Sequence, residues 1–97
     1  METPKLWKIV VEARLDMHAI ERAVSEVPDV TDVASVARGI ELQRIDILEE
    51  RSVVFATGST ESARALERCL QVAAPRAPVR HSEATARELY ANEPPKG

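Results

Sequence analysis

Between Leu6 and Pro28 the hydrophobic period changes once, and that change constrains the fold more than any other feature of the chain. From Leu6 to Ala13 the sequence alternates: Trp7, Ile9, Val11 and Ala13 fall on one side, Leu6, Lys8, Val10 and Glu12 on the other. Period two is the signature of a strand. The first set is purely apolar and is expected to face the main core. The second is mixed and can meet water or a partner. Directly afterwards Met17, Ile20, Val24 and Val27 recur at spacings of three and four, with Ala23 beside them. That is a single apolar stripe on a helix over 17–27. Asp16 stands where its carboxylate can accept from the free N–H groups of the first turn. Pro28 ends the helix, because its ring removes a donor and disfavours helical backbone in the residue before it.

The remaining elements follow by the same reasoning. Val30–Ala37 reads as extended, since its β-branched content and Gly39 oppose a helix, with a kink or bulge at Arg38-Gly39. Ile40–Leu48 continues as strand, Glu49-Glu50-Arg51 makes a polar turn, and Ser52–Thr57 returns as the second arm of a hairpin. Gly58 breaks the strand and Ser59 or Thr60 can cap a second helix over 60–73. Its buried stripe is Ala63, Leu66, Cys69, Leu70 and Ala73. Val79–Ser82 reads as a short edge strand. Ser82 is alternatively the cap of a last helix, because Glu83–Ala91 is rich in helix formers. The expected fold is α+β, a ferredoxin-like βαββαβ order with a four-stranded antiparallel sheet, two helices on one face and a short C-terminal helix as an addition.

At 97 residues the chain is one domain of ordinary size, 1–97, with an ordered core over about 6–91. It has three aromatic residues, so the core is built from Val, Ile, Leu and Ala. One cysteine excludes a disulfide framework and a thiolate zinc site. The stretch Met1–Lys8 lacks the apolar core of a signal peptide and no run approaches a membrane span, so a cytoplasmic location away from membranes is expected. A net charge of −3 argues against a protein that neutralises phosphates.

The element order, with Val27-Pro-Asp-Val-Thr-Asp-Val33 leading out of the first helix, resembles the small ACT-like and heavy-metal-associated domains. Metal-carrying members place paired cysteines in the loop before the first helix. Here that loop reads Arg14-Leu15-Asp16-Met17-His18 and has none, so the resemblance implies no metal and no cofactor. ACT domains bind amino acids with the help of a glycine-bearing loop after the first strand, and that glycine is missing too. RNA-recognition motifs share the order of elements and stack bases on sheet aromatics. Trp7 shares its parity with Ile9 and Val11, and a single aromatic, Phe55, lies in the 51–56 stretch. Nucleic-acid binding is therefore not expected.

Cys69 lies among the leucines of the second helix and reads as a small core residue. Ser59 and Thr60, at a helix start, and His18 are candidate ligand contacts. No catalytic residue is assigned. The feature left over is the sheet face away from the helices. Leu6 and Val10 lie there, joined either by Val53, Phe55 and Thr57 or by Ser52, Val54 and Ala56. Leu6, Val10, Val54, Phe55, Leu89 and Tyr90 are the candidate interface. An apolar patch of several hundred Å² calls for a cover. The cover is another chain, which makes this a self-associating or partner-docking regulatory module and a homo-oligomer, or it is the chain's own segment Glu83–Tyr90 anchored by Leu89 and Tyr90. Two rival readings are a small enzyme of the dimeric α+β barrel kind, using His18, His81, Asp16 and Glu12, and an ACT-like sensor of a small anion.

Overall fold

A computed structural model describes residues 3–27 and 40–91. The chain runs β1 (Lys5–Val11), α1 (Met17–Glu26), β2 (Ile40–Ile47), β3 (Ser52–Gly58), α2 (Thr60–Ala73), β4 (Val79–Glu83) and α3 (Ala86–Ala91). The four strands form one sheet in the order β2-β3-β1-β4, every neighbouring pair antiparallel. The architecture is α+β, with a four-stranded antiparallel sheet in an order compatible with a ferredoxin-like topology. The segment read as extended at Val30–Ala37, and the bulge placed at Arg38-Gly39, lie outside the described residues.

Period two in β1 sorts its side chains as the alternation requires. Ile9 and Val11 join Val54 and Ala56 of β3, Ile20 and Ala23 of α1, and Leu66 and Leu70 of α2 in the main core. Both long helices therefore pack on one face of the sheet. Trp7 lies on the same face, where its indole N–H donates to the Gly58 carbonyl at 2.9 Å and its ring meets His81 edge-on, centroids 5.6 Å apart. On the opposite face Val10, Val53 and Phe55 form a second, separate cluster, flanked by Leu6, Ala84 and Leu89.

The helix ends show the capping chemistry the sequence implied. The Asp16 carboxylate accepts from Ala19 N at 2.8 Å, and the Ser59 hydroxyl accepts from Ser62 N at 3.1 Å. Gly58 remains inside β3, paired with Lys5 and Ile40, so the break comes one residue later than expected. Ser82 does not cap the last helix: it sits in β4 opposite Lys8, and Thr85 takes the capping role through its hydroxyl, which accepts from Glu88 N at 3.2 Å. The α2 stripe is rotated slightly from the one expected. Ser62, Ala63, Ala65, Leu66 and Leu70 are buried, whereas Cys69 is half-buried and Ala73 exposed. The described irregularity of the sheet is on β2 between Leu42 and Arg44. It skips Gln43 and brings Arg44 and Asp46 opposite Phe55 and Val53, on the face away from the helices.

A buried serine ties the β1–α1 loop to the sheet. The Ser52 hydroxyl accepts from Leu15 N at 2.9 Å and donates to the Ala13 carbonyl at 2.9 Å. One side chain thus satisfies a backbone donor and a backbone acceptor that the turn from strand to helix would leave without ladder partners.

Candidate functional site: the face away from the helices

The face away from α1 and α2 is divided in two. One half is roofed by α3, the other is an open groove. Under the roof, Phe55 is 1% exposed, Val53 7% and Val10 8%. Leu89 is the α3 side chain packed on them, and Tyr90 stays 67% exposed. α3 is pinned from below by Arg44, whose Nη1 donates to the Leu89 carbonyl at 2.9 Å while its Nε donates to Asp46 Oδ1 at 3.0 Å. The chain's own C-terminal segment is thus the cover of the apolar patch, with Leu89 as anchor. Tyr90 contributes little to it.

The groove beyond the roof has a volume of about 480 Å³. Val10 and Val53 lie along its floor, and Lys8, Arg51 and Arg80 stand around it, with Asp46 as its carboxylate. Parity explains the gathering. Lys8 lies between Leu6 and Val10 on the mixed side of β1, and Arg80 is the β4 residue directly opposite Val10. Arg51 enters from the β2–β3 turn, closed by Leu48 N donating to the Arg51 carbonyl at 2.8 Å. Arg80 Nη2 is 3.8 Å from Glu12 Oε1, both side chains well exposed, a pair that contributes little to stability.

Of the residues singled out in the sequence, the structure brings Leu6, Val10, Phe55 and Leu89 together. Val54 is a correction: it is the β3 residue between Val53 and Phe55, so period two turns it toward the helices, where it is fully buried. Ser59 is occupied as the cap of α2, its hydroxyl also donating to Ser62 Oγ at 3.1 Å. Thr60 opens the helix behind it and His18 is exposed on α1, 3.8 Å from Glu21. His81 belongs elsewhere, on β4 between Trp7 and α2, with Nδ1 buried 3.2 Å from Glu67 Oε1 but without hydrogen-bond geometry. The two histidines therefore do not share a site with Asp16. Trp7 and Phe55 are covered, on opposite faces, so neither is presented for base stacking. Lys8, Arg51, Arg80 and Arg44 were not singled out. The available signal was the mixed parity of β1 and the placement of Arg80 on the same side once β4 pairs with it.

Among the described residues, Cys69 is the titratable group whose environment clearly departs from the ordinary. Burial pushes its thiol up, the Glu26 carboxylate adds to the shift, and Arg68 opposes it. A thiol held protonated is a poor nucleophile. Among the described residues no group of three or more His, Cys, Asp or Glu side chains is placed to hold a metal ion, and no helix is long and apolar enough to cross a membrane. No protein-family model matches the chain, and a search of the curated proteins returned no match.

Proposed function

We propose that this chain is a ferredoxin-like, non-catalytic docking module that receives an acidic segment of another protein on the sheet face away from its two long helices. The observation that supports the reading is charge segregation. Three cations, Lys8, Arg51 and Arg80, and one carboxylate, Asp46, line the groove, an excess of positive charge in a chain whose total is −3. Asp46 is already engaged by Arg44, and Arg80 faces Glu12 at 3.8 Å in a well-exposed pair that an incoming carboxylate can exchange. Carboxylates of an incoming segment would meet the cations while an apolar side chain rests on Val10 and Val53. Complementary potentials of this kind supply on-rate and partner choice.

The same charges favour a different protein over a second copy. A two-fold pairing through this face would set Lys8, Arg51 and Arg80 against their own images, and like charges across an interface are costly.

The test is fluorescence polarisation with two labelled peptides of equal length, one rich in Glu and Asp around a single Leu, the other with Lys in place of the acids. Saturable binding of the acidic peptide alone is expected, weakened at least about tenfold by Lys8→Glu combined with Arg51→Glu, a loss of roughly 1.4 kcal/mol. No saturable binding, or binding indifferent to the charge reversal, would overturn the reading. Sedimentation at micromolar concentration is the companion measurement: a dimer that Val10→Glu dissociates without unfolding the chain would replace the partner-docking reading with self-association.

A further inference from the structure

We infer that α3 is a displaceable stand-in for the partner, so that the segment this face takes is amphipathic, acidic where it crosses the groove and carrying a leucine-like side chain that replaces Leu89. This rests on the docking function proposed above. It starts from a continuity: Val10 and Val53 belong both to the groove and to the cluster beneath α3. The open half and the roofed half of the face are one surface, interrupted by six residues of the chain itself.

The side-chain burial that holds α3 over Ala86–Tyr90 is slight. Isolated helices of this length are not stable, so α3 exists only through its contacts. Ala86, Arg87, Glu88 and Tyr90 are exposed, which leaves Leu89 as the half-buried anchor of the five residues Ala86 to Tyr90. Arg44 Nη1 donates to the Leu89 carbonyl at 2.9 Å, a polar tie from the sheet to α3. What lies beneath is the opposite: Phe55, Val10 and Val53 are close to completely covered. A weakly held cover over a strongly apolar floor opens locally at low cost but does not stay open unless another apolar group takes its place. Glu88 and Leu89 show the pattern that fits, an acid beside a leucine anchor. A partner segment with more acids would add contacts with Lys8, Arg51 and Arg80 that α3 does not make.

The closing experiment uses the full chain and its Leu89→Ala variant with the acidic Leu-bearing peptide and a version of that peptide with Ala for Leu. Losing a half-buried leucine from the cover should tighten binding of the Leu peptide by about three- to tenfold, because a larger share of molecules is open. The Ala peptide should gain clearly less. Hydrogen exchange on the unaltered chain is the second measurement, independent of any ligand and of how well the variant folds. The Leu89 amide, bonded to the Thr85 carbonyl at 3.1 Å, should exchange at least a hundredfold faster than the β1 and β3 amides. Exchange at Leu89 as slow as in those strands would overturn the inference. So would an unaltered chain that binds the Leu peptide while Leu89→Ala binds it equally or more weakly, and the groove reading would then stand without it. Failure of both chains to bind either peptide would overturn the docking function itself.

Discussion

Replacing Ser52 by alanine removes one oxygen and should cost this domain a large part of its stability. Ser52 is 0% exposed and has no access to water. Its hydroxyl accepts from Leu15 N and donates to the Ala13 carbonyl, both at 2.9 Å, tying β3 to a loop 37 to 39 residues earlier in the chain. Alanine fits the space and leaves both backbone groups without that partner. The Leu15 N–H is buried and should bear a desolvation penalty of about 1–3 kcal/mol, whereas the half-exposed Ala13 carbonyl can recruit water and should lose about 0.5–1.5 kcal/mol. The sum, roughly 2–4 kcal/mol, compares with a total of about 5–10 kcal/mol for a domain of this size. It should lower Tm by about 10–25 °C. Urea unfolding followed by the emission of Trp7, the single tryptophan of the chain, is the assay, because its buried indole reports the sheet and its helix-side packing together. The midpoint should fall with the slope unchanged. Ser82→Ala, an exposed serine on β4, is the control and should stay within about 0.5 kcal/mol. A loss below about 0.5 kcal/mol for Ser52→Ala would mean that water reaches Leu15 N or that the hydroxyl does not bridge the loop, and the account of how β1 turns into α1 would fail.

Leu66→Ala should cost about 2–5 kcal/mol in the same titration, since Leu66 is fully buried between α2 and the sheet; a loss under about 0.5 kcal/mol would place the stripe of α2 on the surface. Cys69 should react with a thiol reagent at neutral pH more slowly than in the denatured chain, because burial first and Glu26 second hold it protonated, and its rate should still be climbing above the ordinary thiol range. The sign for stability follows: the native thiol keeps its proton to higher pH than the unfolded one, so this contribution is present below the unfolded value and is lost as pH rises through it toward the native value. Labelling as fast as in the denatured chain, at every pH, would refute the half-buried placement of Cys69.

The alternation in Leu6–Ala13 and the three-four spacing in 17–27 make the main core readable residue by residue, because burial on one face imposes a period on the sequence. Ile9, Val11, Ile20 and Ala23 stand where that period puts them. The parity of β3 is not set by its own residues, since Val53, Val54, Phe55 and Ala56 are apolar on both sides, so both Val54 and Phe55 stand as candidates; pairing with β1 decides it, turning Val53 and Phe55 away from the helices and Val54 toward them. The Cys69 and Ala73 placements failed more gently, because a hundred-degree helical step leaves the edge of a stripe ambiguous by one residue.

The candidate site was half legible, and the division has a physical cause. Its apolar members, Leu6, Val10, Phe55 and Leu89, announce themselves because an apolar side chain on a supposedly open face needs a cover. Its charged members do not, because a lysine or arginine on a strand is by itself the ordinary solvated case. Lys8 and Arg80 become a pair only when β4 docks on β1 with Arg80 opposite Val10, and Arg51 joins them only when the β2–β3 turn closes. Arg44 requires more: the irregularity at Gln43 must turn it onto this face before it can reach the Leu89 carbonyl, 45 residues away in the chain. Groups that act together here are separated in sequence by strand pairings rather than by a repeating interval. That is why a chain whose net charge is negative can still present a basic groove.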